Sequence, residues 1–156
     1  MTEASGALAD KLLSEGERTL AFFHALSADA WAQAVYGEGA AWTVAQALEH
    51  LVIAEVTLLR VLRDVAAGGP GAPPEIDIDR FNAQRTGSLQ ADPAGLMDAF
   101  RAGRQRIADF TRGLDEAQLA RHGRHPAMGD SALGDMIKMI HLHASMHVRD
   151  IRRQLG

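Results

Sequence analysis

The sequence predicts an all-α protein, a four-helix bundle with short additional helices between the long ones. Four long segments carry apolar residues at the three- and four-residue spacing of an amphipathic helix. Strict alternation of apolar and polar residues, the pattern of a half-buried strand, occurs only over residues 76–79, beside a stretch rich in glycine and proline. Four such helices bury their apolar faces against one another, so we expect one bundle domain over residues 1–156.

The first long helix is predicted over about residues 5–26, where leucine and phenylalanine recur at helical spacing. Ser27 has the character of an N-cap and predicts a short helix that carries Trp31. Gly37 and Gly39 are expected to end that short helix, because glycine terminates helices readily.

The second long helix has the clearest start signal in the chain. Thr43 and Gln46 form the pattern of a capping box, and the apolar periodicity that follows continues to Gly68. Residues 68–74 then predict a turn-rich loop, which is the one long connection of the bundle. A short helical piece around Phe81 follows it.

The second half of the chain predicts two further long helices. Asp92 is the expected N-cap of a helix that ends at Gly113. Residues 115–121 predict a helical turn or two, and residues 124–130 predict a loop. Ser131 is expected to open the last helix.

Charge and cysteine content exclude several classes of function. Acidic residues outnumber basic ones by 20 to 16, so no basic excess points to nucleic acid. The chain has no cysteine, which excludes disulfides, thiolate ligands and cysteine nucleophiles. Neither a signal-peptide pattern nor a long apolar run is present, so we expect a cytoplasmic protein with no membrane partner. The seven histidines are then the main candidates for metal ligands.

Three of the histidines lie close together in the last helix. His143 and His147 are four residues apart, which places both imidazoles on one face of a helix, within reach of one ion. His141 points to another side of the helix and cannot join them. The face that carries the pair also carries apolar residues, and buried imidazoles need a partner such as a metal ion.

A third ligand must come from another helix. His50 is the leading candidate because it lies within a strongly apolar segment, and His24 in the first helix is the second candidate. His122 and His125 fall in or beside the predicted loop, where we expect them to be solvated. Three imidazoles from two helices would leave at least one coordination position open for water or substrate.

Four motifs, in this order along most of the chain, carry a resemblance to a known family: Trp42 with His50 eight residues on, Asp79-x-x-Asn82, His125-Pro126-x-x-Gly129, and His143-x-x-x-His147. Together they resemble the DinB/YfiT-like superfamily. The resemblance implies a four-helix bundle with a long crossover connection, often a homodimer, and a divalent metal ion held by three histidines. Carried over to this sequence, those ligands are His50, His143 and His147.

The resemblance also implies a reaction on a small-molecule substrate. Some members use a low-molecular-weight thiol in S-transfer or isomerisation, and others are regarded as metal-dependent hydrolases. We therefore hypothesise a divalent ion, zinc or nickel with iron or manganese as alternatives, that activates a thiol or a water molecule. Because the chain has no cysteine, such a thiol would be a ligand.

Other polar residues have open roles at this stage. Asn82 would line the pocket by resemblance, or it is a turn residue. Arg149 is either an anion site for the carboxylates of a thiol or a charge that compensates the helix dipole. Glu49, Glu55 and Asp150 are close enough in sequence to accept the second ring N–H of a metal-bound histidine, but solvated helix surface is the favoured place for them. The alternative to an enzyme is a non-catalytic, stress-related binding or dimerisation module with a structural metal ion or none.

Overall fold

Four long helices and a small β-hairpin make up the computed structural model, which describes residues 1–36 and 41–156. The long helices are α1 (Glu3–His24), α2 (Val44–Ala66), α4 (Pro93–Arg112) and α6 (Leu133–Leu155). Between them lie a 3-10 helix (Asp29–Ala32), α3 (Ile78–Arg85), α5 (Glu116–Leu119), β1 (His122–His125) and β2 (Gly129–Ala132). The predicted four-helix bundle with additional short helices is confirmed.

Side-chain caps define where the helices begin. The N–H of Gln46 donates to Oγ1 of Thr43 over 3.2 Å, and the N–H of Thr43 donates back to Oε1 of Gln46 over 2.9 Å. Asp92 caps α4 in a similar way, by accepting from the N–H of Gly95 over 2.8 Å. The first N–H groups of a helix have no acceptor within the helix, and these side chains accept from them. Both starts lie where the sequence predicted them.

The core consists of two apolar clusters along the bundle. One includes Leu20, Phe23, Leu48, Leu51 and Phe100, and the other includes Leu62, Ile107, Leu133, Met136 and Ile137. Between the clusters, along α2 and α4, a buried ion pair joins Glu55 to Arg104, with Oε1 2.9 Å from Nε. Nε and Nη2 of Arg104 both donate to Oε1 of Glu55, and Nη1 donates to the oxygen of Leu12 in α1 over 2.9 Å.

The hairpin corrects the sequence prediction of a loop over residues 124–130. Strand β1 pairs antiparallel with β2, with His125 opposite Gly129, and Ser131 lies within β2. The last helix therefore begins at Leu133, after Ala132, instead of at Ser131. Both strands are four residues long and carry little apolar alternation, so the sequence has no strand pattern to recognise.

Contacts with α2 and with the long loop hold the hairpin in place. A Cβ atom at Gly123 would lie 2.3 Å from Cγ2 of Val65, so only glycine lets β1 approach α2 this closely. The N–H of Ala72 donates to the oxygen of Arg124 over 2.8 Å, and the N–H of Arg124 donates to the oxygen of Pro70. The long connection thus packs on the hairpin and is ordered by it.

The segment before α2 differs slightly from its prediction. The short helix is of the 3-10 type and begins at Asp29 after Ala28, while Ser27 accepts from the N–H of Ala30 through its side chain over 3.4 Å. The predicted end at Gly37 and Gly39 lies outside the described residues. Within the described ranges, none of the helices has both the length and the apolar character that a membrane crossing requires.

Candidate metal centre

Three imidazoles from two helices converge at one point. His50 of α2 and His147 of α6 each place Nε2 close to Nε2 of His143, at 3.2 Å and 3.1 Å respectively. One nitrogen from each ring lies within 4.8 Å of the other two. Two nitrogens bound to one tetrahedral zinc ion at about 2.05 Å are about 3.3 Å apart, so the donor set fits such an ion.

A chain of hydrogen bonds orients the His147 ring. The hydroxyl of Tyr36 donates to Oδ2 of Asp150 over 3.0 Å, because a carboxylate can only accept. Because that bond uses the only hydrogen of the hydroxyl, its oxygen accepts the Nδ1–H of His147 over 2.8 Å. This leaves Nε2 of His147 with a free lone pair that faces the other two rings, as a metal ligand requires.

Burial keeps the three rings neutral. Loss of solvation, with a smaller contribution from the nearby rings of His143 and His147, lowers the pKa of His50 to about 3. Burial and the charge of His147 bring the pKa of His143 to about 4. Burial also lowers the pKa of His147, against the opposing charge of Asp150. Neutral imidazole is the form that binds metals, so all three rings are ready as ligands at neutral pH.

The three rings lie at one side of a cavity of about 520 Å³. Trp42 closes part of this side, with its ring centroid 4.6 Å from that of His50. Asn82 of α3 and His125 of β1 also line the cavity. A volume of this size matches the pockets that proteins use for small molecules.

A family model covers most of the chain. The family model described as the DinB superfamily matches residues 11–151. The chain belongs to the DinB superfamily. No curated protein matches this DinB-superfamily chain in sequence.

Two solved structures share the fold at low sequence identity. YfiT from Bacillus subtilis, described as a probable metal-dependent hydrolase with an unusual four-helix bundle topology, superposes with a TM-score of 0.72 at 19% identity, over 94% of this chain and 85% of that one. The mycothiol-dependent maleylpyruvate isomerase superposes with a TM-score of 0.69 at 15% identity, over 97% of this chain. The chain spans only 63% of the isomerase.

Three other histidines of this DinB-superfamily chain lie outside the cluster. His24 is exposed on α1 and takes no part in the site, so His50 is the histidine that joins the pair. His141 lies on another side of α6, with Nδ1 2.8 Å from the oxygen of Lys138. His122 is exposed, as expected, and lies 3.0 Å from Asp130.

His125 contradicts the expectation that it is solvated, since only 5% of it is exposed. Its Nδ1 accepts from the backbone N–H groups of Ala127 and Met128, at 3.0 Å and 3.1 Å. The ring hydrogen therefore lies on Nε2, which is buried and has no partner among the described residues. The turn that follows His125 folds back over its ring, and the His-Pro-x-x-Gly motif was the only sequence signal for it.

The acidic side chains are less solvated than expected. Glu49 is buried and accepts from the backbone N–H groups of Gly87 and Leu89, so it ties the end of the α3 segment to α2. Glu55 is buried against Arg104. Periodicity alone assigns such charges to the surface, whereas partners far along the chain allow them to be buried.

Two further sequence candidates, Arg149 and Asp150, lie on α6 close in sequence to His147. Arg149 is exposed on α6, 3.7 Å from Asp150, and does not belong to the described lining of the cavity. Asp150 is half-buried and accepts from Tyr36. Nothing in the sequence near Tyr36 indicated its role, because its two partners are far along the chain. His147 lies 111 residues after Tyr36, and Asp150 lies 114 residues after it.

Proposed function

We propose that this protein is a metal-dependent enzyme that acts on a small molecule, with His50, His143 and His147 as the ligands of one divalent ion. The observation that carries the proposal is the convergence of the Nε2 atoms of three partly buried histidines beside a cavity. When bound, a divalent ion held by three nitrogens, with a position left open, supplies a nucleophile near neutral pH and polarises an electrophile.

The surrounding side chains support hydrolysis as the first candidate reaction. Tyr36 and Asp150 hold His147 in one tautomer and orientation, which keeps its lone pair directed to the centre. Trp42 packs against His50 and limits the access of water from one side. His125 offers an Nε2–H to an oxygen of a substrate held in the cavity.

Transfer to or from a thiol is the second candidate. The shared fold with a mycothiol-dependent isomerase favours it, and the chain would take the thiol as a ligand because it has no cysteine of its own. Under this alternative the same three histidines hold the ion. Zinc or nickel suits a three-nitrogen site, and iron or manganese are further candidates.

Metal content tests the proposal directly. We expect about one ion per chain after incubation with zinc, nickel, manganese or iron, measured by elemental analysis, and a loss of that ion in His147→Ala. His141→Ala is the matched control, because it removes a histidine of the same helix that lies outside the cluster. Chelation should lower the melting temperature of the wild type and of the control, since an ion at 100 times its Kd stabilises the folded state by about 2.7 kcal/mol.

Activity assays then separate the reaction classes. We expect metal-restored hydrolysis of p-nitrophenyl esters or amides in the wild type and in His141→Ala only. Metal-dependent conjugation of a thiol to 1-chloro-2,4-dinitrobenzene without hydrolysis would favour the second candidate. A wild-type protein that binds no ion contradicts the proposal, and an ion without turnover in either assay indicates a structural metal in a non-catalytic module.

A further inference from the structure

The walls of the cavity beside the three histidines are almost entirely hydrocarbon and thioether. Side chains from the loop before α3, from α3 itself, from the hairpin turn and from α2 and α6 form these walls. They include Leu58, Ile76, Phe81, Met128, Met139 and Met146. Methionine adapts its shape to different apolar ligands, which suits a wall that must pack around a variable hydrocarbon group.

No charged side chain faces a ligand in this cavity. Among the residues that the structure describes, the lining contains no aspartate, glutamate, lysine or arginine. Its polar side chains are Thr57, Asn82, Trp42 and four histidines. A carboxylate or ammonium group placed against such walls would lose its hydration without gaining a partner, which is costly.

One end of the cavity differs from the rest. The imidazoles of the cluster line the cavity together with His125, whose Nε2–H is buried and without a partner among the described residues. A buried donor without a partner is uncommon in a folded protein, and a ligand oxygen would satisfy it. The polar part of a ligand thus belongs at this end and carries a hydrogen-bond acceptor.

We propose that the cavity binds small uncharged molecules with a hydrocarbon body and a single carbonyl-type head, with the head at the His125 end. Any reaction at that head is the one given by the proposed function, on which this inference rests. The substrate class is uncharged esters or amides of apolar acids. It disfavours a highly polar, charged thiol in the same space. Burial of each methylene of the body is the main source of affinity.

Binding to the metal-free protein tests the substrate class without any reaction. The probe is N-phenyl-1-naphthylamine, an uncharged fluorophore, displaced by primary amides from butanamide to octanamide. We expect each added methylene to lower the Kd by up to about fourfold, which is the 0.8 kcal/mol of a buried CH₂ converted to a ratio. Octanoate and glutathione should bind at least tenfold more weakly than octanamide.

Two exposed apolar positions supply a matched pair of variants. Leu142 lies at the rim of the cavity and is 52% exposed, while Val56 lies outside the cavity on α2 and is 41% exposed. We expect Leu142→Asp to raise the Kd of octanamide at least tenfold and Val56→Asp to change it less than twofold, with helix content by circular dichroism unchanged in both. The chain-length series on the wild type does not depend on either variant.

Three results would overturn the proposal. The first is a Kd that does not depend on chain length, and the second is tighter binding of octanoate or glutathione than of octanamide. The third is a dimer, seen by sedimentation, that excludes the probe and that Leu142→Asp dissociates, because the rim would then be an interface between two copies. Since these measurements use metal-free protein, a failure to bind metal leaves them valid, and a failure here leaves the metal-dependent reaction standing.

Discussion

Acid should destabilise the metal-free protein through the three clustered histidines. In the unfolded chain a histidine has a pKa of about 6.5, whereas in the fold the pKa of His50 is about 3 and that of His143 about 4. Below pH 6.5 the unfolded state therefore binds protons that the folded state does not bind. Stability is fully present above pH 6.5 and falls as the pH decreases, until the folded rings themselves protonate near pH 4 and pH 3.

The size of the effect follows from the two shifts. At pH 5 each of the two groups lies about 1.5 pH units below its unfolded pKa, which corresponds to about 2 kcal/mol per group. His50 and His143 together should lower the free energy of unfolding by about 4 kcal/mol between pH 7.5 and pH 5. This is a large share of the roughly 5–15 kcal/mol that stabilises an ordinary domain.

Urea unfolding of chelator-treated protein at pH 7.5, 6.5 and 5.0 measures this dependence. The double variant His50→Gln/His143→Gln removes both titrating groups, so it also removes their share of the pH dependence while it retains all other groups. We expect the wild type to lose about 4 kcal/mol more than the variant between pH 7.5 and pH 5. His122→Gln is the matched control, because it removes an exposed histidine that lies outside the cluster. If the double variant and the wild type lose stability in parallel, the reasoning is refuted.

Two further predictions concern the frame around the site. Arg104→Met leaves Glu55 buried without its partner and should cost about 3–5 kcal/mol in urea unfolding, while Arg104→Met/Glu55→Leu should regain most of that loss. Gly71→Ala should lower the melting temperature more than Gly87→Ala, although both glycines have a φ near +85°. A Cβ at position 71 would lie 2.6 Å from the oxygen of Arg124, whereas a Cβ at position 87 has no described atom within 4 Å. Equal shifts in the two variants would contradict the close approach of loop and hairpin.

The long helices and the starts of α2 and α4 could be predicted because their signals are local. Thr43 with Gln46 and Asp92 with Gly95 make their contacts within one turn, so a short stretch of sequence contains both partners. The same holds for the pair His143 and His147, which needs only the helix repeat to share a face. The one-domain organisation, the cytoplasmic location and the homodimer stay predictions.

Features that join distant positions could not be predicted in this way. Spacing alone left His50 first and His24 second as the third histidine of the cluster, the family resemblance favoured His50, and the packing of α2 against α6 brings His50 to the pair. Tyr36 approaches His147 because the backbone of Val35 pairs with that of Trp42, where the N–H of Val35 donates to the oxygen of Trp42 over 2.7 Å. Neither contact leaves a periodic trace in the chain.

Buried charge and short strands escaped prediction for a related reason. Hydrophobic periodicity treats every glutamate as a surface residue, whereas Glu55 is buried because Arg104, 49 positions away, meets it between two apolar clusters. The β-hairpin depends on Gly123, which allows close packing on Val65, more than on any strand propensity of its own. In both cases the tertiary partner decides the local structure.

The arrangement of the three histidines has a consequence for how the chain is tied together. His50 and His143 are 93 positions apart, and α3, α4, α5 and the hairpin separate the two helices that carry them in sequence. An ion shared between them would act as a reversible cross-link that closes a loop of more than half the chain. Closing a loop of this length lowers the entropy of the unfolded state, as a disulfide does. In a chain without cysteine, imidazoles that share an ion would thus supply the cross-link that a disulfide supplies in other proteins. A chelator would open this cross-link, as a reductant opens a disulfide.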